Sequence, residues 1–304
     1  MKRLILMAII AVAEASVAAQ WPKIADPTVP RDAQGNVNYD AATPRTPDGK
    51  PDLSGIWMVA QSGPPRPPRA AGPLSTPQLE PQTARFPYDP KGPPVASFGE
   101  AGANMEGGLP FTPWGKDLKK ARMDTHMKDQ PDANCLPMGF LQFHGQPQPR
   151  KVMNIAGPVK MILFQFEANS GLWPIYMDGR KLPPQGDPQP WWYGYSVGHW
   201  EGDDLVVESN NLRGAEDSPS DGWLDVNGSP YSNQATFVHH IRRPTFGHLQ
   251  IDLTVTDPKA YTHPWTVRVD QRLAPDQEMI EFICEENQQF RRRIKIDQAS
   301  DGGK

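Results

Sequence analysis

Proline constrains this chain more than any other residue. It supplies 35 of 304 positions, well above the usual ~5%. Its ring locks φ and removes a donor, which bars it from helix interiors and central strands, so a mostly helical fold is disfavoured. The distribution is uneven: 23 of the 35 lie between residues 22 and 150. Within that half, residues 62–72 and 86–94 read as extended polyproline-like coil. Long structureless loops are rare inside compact domains, so this half is expected to wrap over a scaffold. It contains two ordered islands. Residues 53–59 read as a short strand, and residues 113–128 as a helix, with Thr112 as N-cap and Pro113 in the first turn.

From Lys151 onward the texture changes to short β-rich runs near 151–156, 159–167, 172–177, 193–200, 204–210, 234–243, 248–256, 265–273 and 278–285. Turn residues divide them, as at Gly202-Asp203 and Ala274-Pro-Asp276. With residues 53–59 this makes about ten strands. The spacing predicts a mostly β fold, an antiparallel meander closing into a lipocalin-like or related barrel, with the proline-rich wrap and one short helix. Domain bounds follow: 1–19, 20–150, a barrel over 151–290, and a tail over 291–304.

The first nineteen residues read as an export signal. Lys2 and Arg3 precede an apolar run over 4–13, and Val17 and Ala19 fit an A-x-A-like cleavage site before Gln20. A cleaved signal places the mature chain in the periplasm or outside the cell. No apolar run of ~20 residues follows, so no membrane insertion is expected after cleavage. A net charge of −4 offers no broad basic field for a nucleic-acid backbone. The two cysteines, Cys135 and Cys284, make an even pair in an oxidising compartment, and one disulfide between them is expected.

Alternation along strands assigns faces once a turn is placed. A turn at Gly202-Asp203 sets Trp200 opposite Leu205 and Gly198 opposite Val207. The other face then collects Tyr195, Val197, His199, Val206, Glu208 and Asn210. His199 with Glu208 has the make-up of an oriented base, and Tyr195 that of a donor to a developing oxyanion; the alternative is a solvated polar face. A turn over residues 244–247 places His240 on an apolar face opposite Ile251, as a base with lowered pKa or a satisfied core histidine. His239 then falls opposite Asp252 as a surface pair. Asp178 and Arg180 flank a turn glycine, where Arg180 could take an anionic group or be merely solvated. Trp191 and Trp192 could stack on a ligand or close the barrel mouth. Histidines 239, 240, 248 and 263 make a zinc site conceivable, yet neighbours on one strand point to opposite faces, and no metal is expected. The chain has no G-x-G-x-x-G, P-loop or G-x-S-x-G motif, so no cofactor is expected either.

Several stretches together resemble a widespread family of secreted bacterial proteins of uncertain biochemical role. They are Pro51-Asp-Leu-Ser-Gly-Ile-Trp57, Asn134-Cys-Leu-Pro-Met-Gly139, Asp178-Gly-Arg-Lys-Leu-Pro183, Gly194-Tyr-Ser-Val-Gly-His-Trp-Glu-Gly-Asp-Asp-Leu-Val-Val-Glu208, Trp223-Leu-Asp225, Phe246-Gly-His-Leu-Gln-Ile251, Asp257-Pro-Lys-Ala-Tyr-Thr-His-Pro-Trp265 and Cys284-Glu-Glu-Asn287. The resemblance implies a histidine where this chain has Tyr195 and a His-Pro-His element where it has Ser229-Pro-Tyr231, so any imidazole site of the family is altered here. Gly55-Ile-Trp57 resembles the Gly-x-Trp signature of lipocalin-like barrels, which implies a tryptophan closing one end and an interior that holds apolar small molecules. The expected function is therefore binding of an apolar or aromatic small molecule in a barrel cavity, with Asp178, Arg180, Trp191, Trp192 and Asn210 as contacts. The alternatives are a cofactor-independent lyase, isomerase or hydrolase using Tyr195, His199, Glu208 or His240, and a cell-envelope interaction module using the proline-rich arm.

Overall fold

The computed structural model describes residues 26–60, 86, 89–186 and 189–287. The expected signal over 1–19, the coil over 62–72 and the tail over 291–304 lie outside them. Nine strands form a closed barrel in chain order: β1 (Gly55–Val59), β2 (Arg150–Ile155), β3 (Met161–Phe166), β4 (Leu172–Tyr176), β5 (Tyr195–Glu201), β6 (Asp204–Asn210), β7 (Thr236–Thr245), β8 (His248–Thr256) and β9 (Trp265–Leu273). The mostly β, lipocalin-like barrel expected from strand spacing is thus present.

Two details of the expectation are corrected. First, the barrel is mixed rather than wholly antiparallel, because β4 and β5 pair in parallel through Tyr176 and Val197. In a closed ring of nine strands, directions cannot alternate all the way round, so at least one neighbouring pair must be parallel. Residues 177–194 provide the long crossover that a parallel pair needs. Second, residues 278–285 form no strand. The edge of β9 is already taken by β1, with Trp57, Met58 and Val59 opposite Leu273, Arg272 and Gln271. Ile280 and Phe282 consequently lie exposed instead of lining a sheet.

The helix α1 spans Pro113–Asp124, four residues shorter than the expected 113–128. Thr112 caps it by accepting from the Gly115 amide at 3.2 Å. His126 and Met127 adopt φ of 55° and 57°, a left-handed conformation in which no α-helix continues.

Within the proline-rich half, residues near 39–45, 86 and 96 lie along the outer wall. The amides of Phe246 and Gly247 donate to the carbonyls of Ala41 and Tyr39, and Ala96 donates to Arg268. Arg45 grips Asp203 through two bonds of 2.6 Å. The Phe86 ring stacks on His248 at 3.5 Å between centroids. This cover buries polar residues on the outer face, among them Asp252, Arg268 and Asp270. At one barrel end Trp57 is fully buried, donates to the Leu53 carbonyl at 2.9 Å, and lies 4.9 Å from the Arg243 guanidinium.

The expected disulfide is formed. Cys135 and Cys284 are bonded across 149 residues of sequence with Cα atoms 5.6 Å apart. Cys284 reaches its partner from a short 3-10 turn rather than from the strand face expected for it. Among the described residues, no helix is long and apolar enough to cross a membrane.

Candidate functional site

The barrel interior is occupied by a second, six-residue helix, α2 (Phe140–Gly145). Pro137 and Pro147 bracket it, and Gly139 is its N-cap. Gly139 is required there: a Cβ would lie 2.0 Å from the Trp223 carbonyl oxygen. Phe140 and His144, four residues apart, share one helical face. The Phe140 ring meets Trp173 of β4 at 4.9 Å, Phe237 of β7 at 5.3 Å and His239 of β7 at 4.6 Å. Phe143 meets Phe166 of β3 at 5.4 Å, and Gln271 of β9 donates to the His144 carbonyl at 3.0 Å. These contacts reach inward-facing residues of β3, β4, β7 and β9, which places α2 in the lumen.

Within this aromatic packing lies a polar cluster. Gln142, His144, Arg150, His239 and Gln271 are each fully buried. The His144 and His239 rings stand 5.3 Å apart, with Trp173 4.6 Å from His239. Both ring nitrogens of each histidine, both amide atoms of Gln142, Nε and Nη1 of Arg150, and Oε1 of Gln271 have no hydrogen-bond partner. Native interiors leave few such groups, and each costs about 1–3 kcal/mol when unpaired. Their concentration in one lumen makes this cluster the candidate site.

Burial sets the charge states. It pulls Arg150 down to about 9 and His239 down to about 3, the latter helped by neighbouring His240. Burial, then the nearby His239 and Arg150, holds His144 well below the usual imidazole range. Both imidazoles are therefore neutral in the folded protein at pH 7. On unfolding they regain an ordinary pKa near 6.5 and take up protons below it. Their contribution to stability is thus fully present above pH 6.5 and is lost as pH falls toward 3. Between pH 7.5 and 5 the loss is expected to be about 1–2 kcal/mol per imidazole, read as a falling urea midpoint. His239→Gln should flatten that fall by roughly half; an unchanged midpoint in the parent over this range would contradict neutral buried imidazoles.

The residues singled out from sequence lie elsewhere, and only some of them meet. Asp178, Arg180, Tyr195 and Trp191 converge with Tyr176 on the outer wall. Arg180 donates to Asp178 at 2.8 and 2.6 Å and to the Tyr195 hydroxyl at 2.9 Å, with its guanidinium 3.9 Å from the Tyr176 ring centre. Tyr195 stacks on Tyr176 at 5.0 Å and meets the Trp191 ring at 5.3 Å. Asp178 and Tyr195 together hold the Arg180 pKa above its ordinary value. Asn210 donates to the Pro183 carbonyl and so ties down the loop carrying Arg180, while Trp192 sits under Arg213 at 4.7 Å. The oriented base read from His199 and Glu208 is not assembled. His199 instead meets Glu201 at 3.1 Å, and Val197 is the strand partner of Glu208.

The β7–β8 face assignment is corrected. His239 pairs with Leu253 and points inward, whereas His240 pairs with Asp252 and lies on the outer wall, 3.9 Å from Asp204. The register shifts between Arg242 and Thr245, where Pro244 has no N–H for the ladder. One residue of slip exchanges the two faces completely. Histidines 239, 240 and 248 share no common site, since His248 is engaged by Phe86 and by Asp270 at 2.7 Å, and His263 is exposed.

Gln142, His144, Arg150 and Gln271 escaped the sequence reading. The available signal was the run Phe140-Leu-Gln-Phe-His144, which puts an amide and an imidazole among large apolar residues between two prolines. No protein family, curated protein or solved structure matches the chain.

Proposed function

We propose that this protein is an exported binder of a small aromatic molecule, held inside the barrel between α2 and the strands bearing Arg150, Trp173, His239 and Gln271. The observation that carries this reading is the set of buried, unpartnered donors and acceptors enclosed by Phe140, Phe164 and Trp173. A ligand with an apolar body and a few polar atoms offsets their desolvation, and because these side chains have no accessible surface it binds by shifting α2 within the barrel. The Gly55-Ile-Trp57 element, which resembles the signature of lipocalin-like barrels, favours a ligand in the interior. Export is supported by the signal-like first nineteen residues and by a disulfide, which persists in oxidising compartments.

Magnitudes favour binding over acid–base catalysis. A general base works best with a pKa near the ambient pH. His239, lowered to about 3, is too weak a base for proton abstraction at neutral pH. It serves better as a neutral hydrogen-bonding wall.

Native mass spectrometry of the protein purified from its producing cell tests the proposal. The expected result is a bound mass released on denaturation and absent from a His239→Leu, Gln142→Leu variant. An empty parent protein that also binds none of a panel of aromatic compounds would refute it.

A further inference from the structure

We infer that the lumen ligand carries a carboxylate, received by Arg150; this rests on the lumen being the binding site, as proposed above. Arg150 is fully buried, yet only its Nη2 is engaged, donating to the Gln146 and Gln148 carbonyls at 2.6 and 3.0 Å. Its Nε and Nη1 have no partner. The other buried arginines provide an internal comparison. Arg122 donates three bonds to the carbonyls of Gly222, Gly228 and Asp221 and lies over Trp223 at 4.1 Å. Arg243 uses all three nitrogens on the carbonyls of Phe246 and Asp52. Arg268 is paired with Asp252 at 2.6 Å. Arg150 alone among these four combines complete burial with two idle nitrogens, and no carboxylate of the described residues forms an ion pair with it.

A buried cation without a counter-charge is costly, and beyond the two carbonyls its compensation is the Phe166 ring at 5.3 Å. The surrounding groups suit an anion. Neutral imidazoles at His144 and His239 can each turn one N–H toward it. The same guanidinium opposes a metal cation between the two imidazoles. The aromatic walls then select an acid on a flat apolar body, in the manner of an aryl or arylalkenyl carboxylic acid.

Three matched pairs of probes test this on the disulfide-bonded protein at pH 7.5: benzoate with benzamide, phenylacetate with phenylacetamide, and cinnamate with cinnamamide, followed by ligand-observed NMR and calorimetry. In at least one pair the acid is expected to bind about tenfold or more tightly than its amide, the preference of a charge-assisted bond. Arg150→Met should abolish the preference and Arg150→Lys should restore part of it. Bound acid should also raise the titration midpoints of the His144 and His239 imidazole signals. If the Met variant fails to fold, the acid-to-amide ratio in the parent protein still decides. Amides binding as well as acids would overturn the carboxylate while leaving the lumen site standing. Absence of binding by all six probes, with nothing released from protein of the producing cell, would overturn both.

Discussion

Replacing Phe140 with alanine is expected to destabilise the protein by about 3–5 kcal/mol, the range for deleting a fully enclosed aromatic side chain. Phe140 is wholly buried and touches rings of Trp173, Tyr193, Phe237 and His239 at 4.6–5.5 Å. Residues of β4, β7 and the loop before β5 meet on this one side chain, so the cavity left behind has little freedom to collapse. The substitution should also enlarge the lumen beside His239, so small aromatic solutes such as benzene should partly restore the urea midpoint of the variant. Phe98→Ala is the matched control, because that side chain is 40% exposed and its loss should cost well under 1 kcal/mol. Equal midpoints for the two variants would mean that α2 does not pack in the interior.

Reduction of the Cys135–Cys284 bond is expected to have an effect of similar size. Chain entropy assigns a loop of 149 residues a cost of about 4–5 kcal/mol, an upper figure because denatured chains retain some structure. The location adds a structural consequence. Cys135 stands shortly before α2, and Cys284 ends the segment that follows β9. That segment is also held by the Arg31–Asp276 ion pair at 2.5 Å, the Lys151–Glu278 ion pair at 2.9 Å and the Ile280 amide donating to Glu167 at 2.9 Å. A half-exposed ion pair of this kind contributes about 1 kcal/mol or less, so residues 276–287 should peel away on reduction. Urea titration with and without reductant measures the first effect, and hydrogen exchange over 276–287 the second. Unchanged exchange on reduction would show that the bond is not what holds this segment.

Strand alternation made most of the barrel legible in the sequence, because a half-buried strand must repeat every two residues. The β5–β6 register, with Trp200 opposite Leu205, followed directly from the tight turn at Gly202-Asp203. Two physical circumstances hid the lumen site. The arm covering β8 and β9 buries Asp252, Arg268 and Asp270 on the outer face, so polarity no longer distinguishes inside from outside there. The irregularity at Pro244 then moved His239 inward and His240 outward. The helix α2 was hidden for another reason. Six residues are too few to display a helical period, and this helix is held by its surroundings rather than by its own propensity. The outer cluster of Asp178, Arg180, Tyr195 and Trp191 was legible as a set of interacting residues, but its placement on the outer wall depends on which face of β4 and β5 turns inward. Trp173 and Ser196, joined by a 2.7 Å bond, mark the inward side of those strands.

The most direct measurement is a high-resolution crystal structure of the protein taken from its producing cell without unfolding. The account predicts α2 inside the barrel and ordered non-protein density in contact with Arg150 Nε or Nη1 and with at least one nitrogen of His144 or His239. Protein side chains alone satisfying those nitrogens, or α2 packed outside the strands, would contradict it.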